Sequence, residues 1–237
     1  MLFHRARPFA VALVLCLGSF LGAVQVLPVD AASGAPPTCR YDDVITKYAT
    51  SADWYRSLLD TMYKLPSSYV PKGLVSTSRA GVKGGGVVRS FVIPYLADMA
   101  KAAKSAGAGI RVISAYRSYS SQAKLFQREV RRYGEKIARR SVARAGHSEH
   151  QLGVTIDFGA TSTSGDVSQK FAKTAAGKWM KQNAWKYGWV MSYPPNRTGV
   201  TCYYSEPWHF RFVGVSAAKA IHNSGTTLRQ YLWKTYQ

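Results

Sequence analysis

A chain of 237 residues is long enough for one well-buried domain, and its composition shows no shift that calls for a second. Thirty-two basic residues stand against 12 acidic ones, a formal charge of +20. That balance excludes a neutral or acidic surface and directs the search for partners toward polyanions.

Residues 1–32 read as a secretory signal. His4, Arg5 and Arg7 make a basic start, an apolar run extends from Phe9 to Leu27, and small residues follow at Ala31, Ala32 and Ser33. Gly18, Ser19 and Gly22 interrupt the run, which favours a cleaved signal over a retained membrane helix. An exported protein meets wall polyphosphates, anionic lipid heads and peptidoglycan carboxylates, so nucleic acid is not an expected partner. Cys16 leaves with the signal, and Cys39 and Cys202 remain as the only pair. In an oxidising compartment such a pair usually bridges, and closing so long a loop is worth about 3–5 kcal/mol in the chain-entropy model. Two separate buried thiols are the other reading.

Residues 33–64 are expected to be a leader followed by a helical segment, because Val44, Ile45, Tyr48, Trp54, Leu58, Leu59 and Met62 recur at helical spacing. Residues 65–237 form the main domain. They begin with an extended arm to about Ser78, and Ser90 then starts a helix to about Ala106 that Gly107 and Gly109 stop. Ile110–Tyr116 alternates like a half-buried strand, and Ser118 or Ser120 opens a helix that Gly134 closes. A basic helical stretch follows to Ala145, then a short strand at Val154–Phe158 and an amphipathic helix over Ser168–Tyr187. Trp189–Tyr193, Val200–Tyr204 and Trp208–Val213 are expected as strands, and two short helices end the chain. The predicted class is α+β: a small antiparallel sheet carrying the site, flanked by helices that mostly precede it.

Two stretches carry the chemistry. Gly146–Asp157 contains His150 and Asp157, and Glu206-Pro207-Trp208-His209 adds a second imidazole with a carboxylate beside it. Two histidines and one carboxylate, with a fourth position open to water, make the ligand set of a catalytic zinc rather than a structural one. In a plain strand His150 and Asp157 would face opposite sides, so a turn at Gly153 is required for them to converge. A lone histidine is more often structural than a ligand; the second histidine in the Glu-Pro-Trp-His segment reverses that weighting. Glu206 has the alternative reading of a surface carboxylate paired with Arg211, and Arg117 that of a solvated strand end. His147 is expected beyond the ligand set or in solvent. Tyr203 and Trp208 are expected to line the pocket, against a core role.

Ser148-x-His150-x-x-Gly153-x-x-x-Asp157, Glu206-Pro207-Trp208-His209-Phe210-Arg211 and the upstream Ser114-Ala115-Tyr116-Arg117-Ser118 with Gln122 resemble the zinc D-alanyl-D-alanine carboxypeptidases of the VanY type. The resemblance runs from about Leu65 to Gly214. It implies that His150, Asp157 and His209 bind zinc, that Glu206 is the catalytic base, and that Arg117 acts on the substrate with Ser148 and Gln122 as neighbours. Ala115 stands where the family usually has glycine, Ala145 where proline is common, Thr155 where alanine is usual, and Cys202 where glycine is frequent. None of these departures removes a chemical group. The expected function is a secreted, monomeric zinc carboxypeptidase that removes the terminal D-alanine of peptidoglycan stem peptides, its basic surface meeting anionic wall polymers. An L,D-carboxypeptidase or endopeptidase of the same wall, and a non-catalytic zinc-bearing wall-binding module, stand as alternatives.

Overall fold

Two strands written in strict alternation, Thr155–Ala160 and His209–Phe212, divide the protein into an apolar side and a polar side. A computed structural model describes residues 34–46 and 55–236, all within one unit spanning Ala31–Gln237. The signal expected at residues 1–32 lies outside the described residues, as do residues 47–54. Among the described residues no helix is long and apolar enough to cross a membrane.

In chain order the strands are β1 (Val44–Ile45), β2 (Tyr63–Lys64), β3 (Leu74–Ser76), β4 (Lys83–Gly84), β5 (Val87–Arg89), β6 (Ile110–Ser114), β7 (Thr155–Ala160), β8 (Trp189–Met191) and β9 (His209–Phe212). The α-helices are α1 (Ile93–Ser105), α2 (Tyr119–Tyr133), α3 (Glu135–Ser141), α4 (Ala175–Asn183), α5 (Thr198–Thr201), α6 (Val215–Ser224) and α7 (Leu228–Tyr236). The main sheet has the order β4-β6-β7-β9-β8, antiparallel except where β4 runs parallel to β6. β1 pairs with β2 in parallel, and β3 with β5 antiparallel.

The α+β class holds, with three corrections. Strands β1–β5 come before α1, and helices separate the later strands instead of preceding them, because the early strands are only two or three residues long and carry no readable period. Residues 200–204 are not a strand: α5 ends at Cys202, whose φ of 71° turns the chain. The one or two helices expected over 42–63 are not found in the described parts, which are β1, β2, a 3-10 turn at 55–56 and the irregular backbone before β2. Val44 and Ile45 are exposed, so these apolar positions mark no core-facing stripe.

Side chains alternate across a strand. In β7 and β9 Ile156, Phe158, Ala160, Phe210 and Phe212 enter the main core with Val112, Leu96, Met99 and Met180, under α1 and α4. The register sets Asp157 opposite His209 and Thr155 opposite Arg211. Residues directly opposite share a face, so all four stand on the polar side. The β6–β7 register shifts between Val112 and Ser114. Such a bulge re-aims side chains, and both Ile113 and Ser114 reach the cavity described below.

A smaller core joins Leu58 to Val213, Ala217, Ala218, Ile221, Leu228 and Leu232. Beside it the buried pair Arg229 Nε to Asp60 Oδ2 spans 2.6 Å, and Arg229 also donates to the carbonyls of Pro37 and Val200. The segment before β2 is thereby tied to both the C-terminal helices and the α5 turn.

Candidate metal centre and active site

His150 lies in a 3-10 turn, Glu149–Leu152, that Gly153 ends at φ 72°. Left-handed backbone favours glycine, and a Cβ there would stand 3.0 Å from both Leu74 Cδ2 and Pro71 Cγ. The chain therefore reverses between His150 and β7, and His150 Nε2 comes to 3.1 Å from Asp157 Oδ2. On the other side of Asp157, Oδ1 is 3.1 Å from His209 Nδ1. The ligand atoms of His150, Asp157 and His209 all lie within 4.8 Å of one another, and all three residues are buried.

Hydrogen bonds outside this trio set which ring nitrogens face inward. His150 Nδ1 donates to the Ala115 carbonyl at 2.6 Å, leaving the Nε2 lone pair toward Asp157. His209 Nε2 donates to Glu149 Oε2 at 2.9 Å, leaving Nδ1 inward. Metal-binding imidazoles are typically held in this way, by a carbonyl or carboxylate on the far nitrogen. Burial depresses the basicity of His150 and so keeps it neutral. At His209 burial acts in the same direction, but the bonds to Asp157 and Glu149 overcome it and raise the imidazole to about 10. Asp157 is held well below the usual carboxylate range, because His150 and His209 outweigh its desolvation. Carboxylates around two imidazoles create a strong demand for positive charge at one point.

A cavity of about 720 Å³ opens onto the trio. Each residue expected from sequence to touch metal or substrate lines it: Arg117, Gln122, Ser148, His150, Asp157, Tyr203, Glu206, Trp208 and His209. Glu206 Oε2 is 3.4 Å from His209 Nδ1, and burial pushes its carboxyl up to about 8. Arg117 Nη1 donates to Gln122 Oε1 at 2.8 Å and Nη2 to Ser114 Oγ at 2.9 Å, with Asp157 Oδ2 3.7 Å away. Gln122 in turn donates to the Ala143 carbonyl, so the guanidinium is braced on the cavity wall. The pair Cys39–Cys202 is bridged, with Cα atoms 5.4 Å apart.

Four outcomes depart from the sequence reading or extend it. His147 is fully buried, between the Asp60 carbonyl at 2.8 Å and Asp43 Oδ1 at 2.9 Å, and it serves the packing of the N-terminal segment. Arg211 pairs with Glu149, leaving Glu206 to the cavity. Glu149 itself was missed: it lies in the motif between Ser148 and His150, and an acidic residue in a loop carries no signal of burial. Tyr193, expected as a strand end, lies beyond β8 and brings its ring centroid to 4.8 Å from that of His209.

Two departures from the resembled pattern have local reasons. Thr155 donates from Oγ1 to the Glu149 carbonyl at 3.1 Å. A Cβ on Gly86 would come within 2.7 Å of Ala115 Cβ, so glycine at 86 makes the room that alanine at 115 needs.

Residues 87–215 match the VanY family, described as D-alanyl-D-alanine carboxypeptidase, over more than half of the chain. The chain belongs to the VanY family. Every cavity-lining residue named above falls within that span, and Cys39 falls outside it. YodJ of Bacillus subtilis (strain 168) is 37% identical over 182 residues, covering 75% of this chain and 67% of that protein. Among solved structures, the LdcB LD-carboxypeptidase is 38% identical with a TM-score of 0.69, covering 75% of this chain and 85% of that one. A vancomycin-resistance D,D-pentapeptidase VanY in complex with Zn(II) is 29% identical with a TM-score of 0.65, covering 76% of this chain and 99% of that one.

Proposed function

We propose that this VanY-family protein is a secreted zinc carboxypeptidase that removes the terminal D-alanine from peptidoglycan stem peptides. The observation that carries the reading is the convergence of His150, Asp157 and His209 at one wall of a cavity that also holds Glu206 and Arg117. The donor set fits zinc: two imidazole nitrogens and a carboxylate oxygen, with the far nitrogen of each ring already engaged. Zinc bound there supplies Lewis-acid polarisation and lowers the pKa of water toward about 7.

The protein's own groups do the rest. Glu206 Oε2 stands 3.4 Å from His209 Nδ1, and a carboxyl raised toward neutrality exchanges a proton readily in both directions. In its ionised form Glu206 can accept the proton released as water attacks the scissile carbonyl, and a dication held by His150, Asp157 and His209 would favour that form. The proton then passes from Glu206 to the departing amine. Arg117, braced by Gln122 and Ser114, presents a fixed positive charge to the oxygen on which negative charge develops. Ser148, Tyr203 and Trp208 line the space left for the peptide.

The Cys39–Cys202 bridge supports action in an oxidising compartment outside the membrane. Lys124, Arg128, Arg131, Arg132, Lys136 and Arg140 are exposed on α2 and α3, beside the cavity, and they suit anionic wall polymers.

The 38% identity to an LD-carboxypeptidase favours one second reading, cleavage of the L,D bond of a tetrapeptide stem. Purified protein incubated with a pentapeptide ending in D-Ala-D-Ala and with the matching tetrapeptide separates the two. Release of D-alanine from the pentapeptide, abolished by a chelator and restored by zinc, is the expected result. Release from the tetrapeptide alone selects the second reading, and no release from either, with zinc bound, refutes both.

A further inference from the structure

Glu149, at the wall of the cavity, forms a buried ion pair with Arg211. Arg211 is 0% exposed and Glu149 3%. Taking such charges out of water costs several kcal/mol per ion, and an apolar pair of the same volume would often be at least as stable. The pair therefore needs a reason beyond stability, and its contacts supply one. The Glu149 carboxylate accepts three hydrogen bonds: from His209 Nε2 at 2.9 Å, Ser192 Oγ at 2.6 Å and Arg211 Nη1 at 2.9 Å. The second terminal nitrogen of Arg211, Nη2, donates to the carbonyls of Tyr55 at 2.8 Å and Ser57 at 2.6 Å. Residues 55–57 precede the span matched by the family, 87–215. They are fixed in their turn by Leu58 in the smaller core and by the Asp60–Arg229 pair.

We propose that Arg211 and Glu149 are positioning residues that transmit the placement of the N-terminal segment at 55–57 to the His209 imidazole, and thereby set how tightly the zinc is held. The inference rests on the zinc reading above. A carboxylate on the far nitrogen fixes the tautomer and the plane of a ligating imidazole and strengthens it as a donor; loss of such a partner typically weakens metal affinity about 10–100-fold. Only a planar fork reaches Glu149 with one nitrogen and two backbone carbonyls with the other, so lysine is no equivalent at 211.

The test uses the full chain and three variants, Glu149→Gln, Arg211→Lys and Ser192→Ala. Zinc affinity is measured by competition with a chromophoric chelator, and the cobalt(II)-substituted proteins are compared by their visible absorption bands, which report ligand geometry at the metal. Glu149→Gln is expected to weaken zinc binding about 10–100-fold and to shift the cobalt bands. Arg211→Lys should shift them in the same direction with a smaller loss of affinity, and Ser192→Ala should weaken binding severalfold. Should Glu149→Gln fail to fold, the other two variants decide. Wild-type affinity and unshifted bands in every folded variant overturn the proposal while leaving the zinc reading standing. A wild-type protein that takes up no zinc overturns both.

Discussion

Glu206 shows how far one residue's role depends on what surrounds it. Its carboxyl stands 3.4 Å from His209 and faces the cavity, where the charge of Arg117 acts on it, while Arg211 is committed to Glu149. Glu206→Gln preserves shape and removes the proton acceptor. The expected outcome is a fall in kcat of at least about 10²–10⁴-fold, the usual worth of a positioned acid–base group, with zinc content by metal analysis unchanged. Loss of zinc from that variant would make Glu206 a ligand instead. At this scale the sequence was most informative, because each group needed for the chemistry is itself a letter in a motif. Glu149 escaped because burial and partners are not written locally: its neighbours in space, Ser192, His209 and Arg211, lie 43 to 62 positions away.

Among the elements, the turn into β7 governs the site. Gly153 combines φ 72° with side chains of Leu74, Pro71 and Arg89 closing over it. Gly153→Ala meets both the left-handed backbone penalty, about 1–2 kcal/mol, and crowding at 3.0 Å, so a stability loss of about 2–4 kcal/mol is expected from denaturant unfolding. A variant as stable as wild type would show that the turn is not under that constraint. The long amphipathic helices α1 and α2 and the alternating β6, β7 and β9 were legible, since period and burial agree there. The segments that misled are short: in β1, Val44 and Ile45 are exposed despite their apolar character, and α5 is a single turn in a run of β-formers.

For the whole molecule, the N-terminal segment and the C-terminal helices meet at the α5 turn, held there by Cys39–Cys202 and by Arg229. Replacing Cys39 by serine should lower the melting free energy by about 3–5 kcal/mol. Because Cys202 has φ 71°, Cys202→Gly should be about 1 kcal/mol less damaging than Cys202→Ser; equal losses would remove the backbone from the account. Acid acts on the same junction. Burial holds the His147 imidazole below its ordinary 6.5, and hydrogen bonding to His147 is foremost in lowering the Asp43 carboxyl from 3.8 to about 2. For a histidine with a depressed folded pKa the unfolded chain binds the extra proton, so stability falls as pH drops through 6.5. For Asp43 the loss continues from 3.8 down to about 2. Melting temperature should therefore decline in acid in two stages, and His147→Gln should blunt the first.

The bridge between Cys39 and Cys202 spans 163 positions, and the supports of His209 come from residues 55–57, 149 and 211. Contacts of such separation close late, since the chain must be confined before they form. The metal centre is thus a clock for folding: a chain interrupted anywhere before His209 has no site, and one not yet closed on its N-terminal segment has a loose one. Metal uptake followed in time during oxidative refolding should trail the recovery of helical signal, marking the last step by which the polypeptide becomes competent.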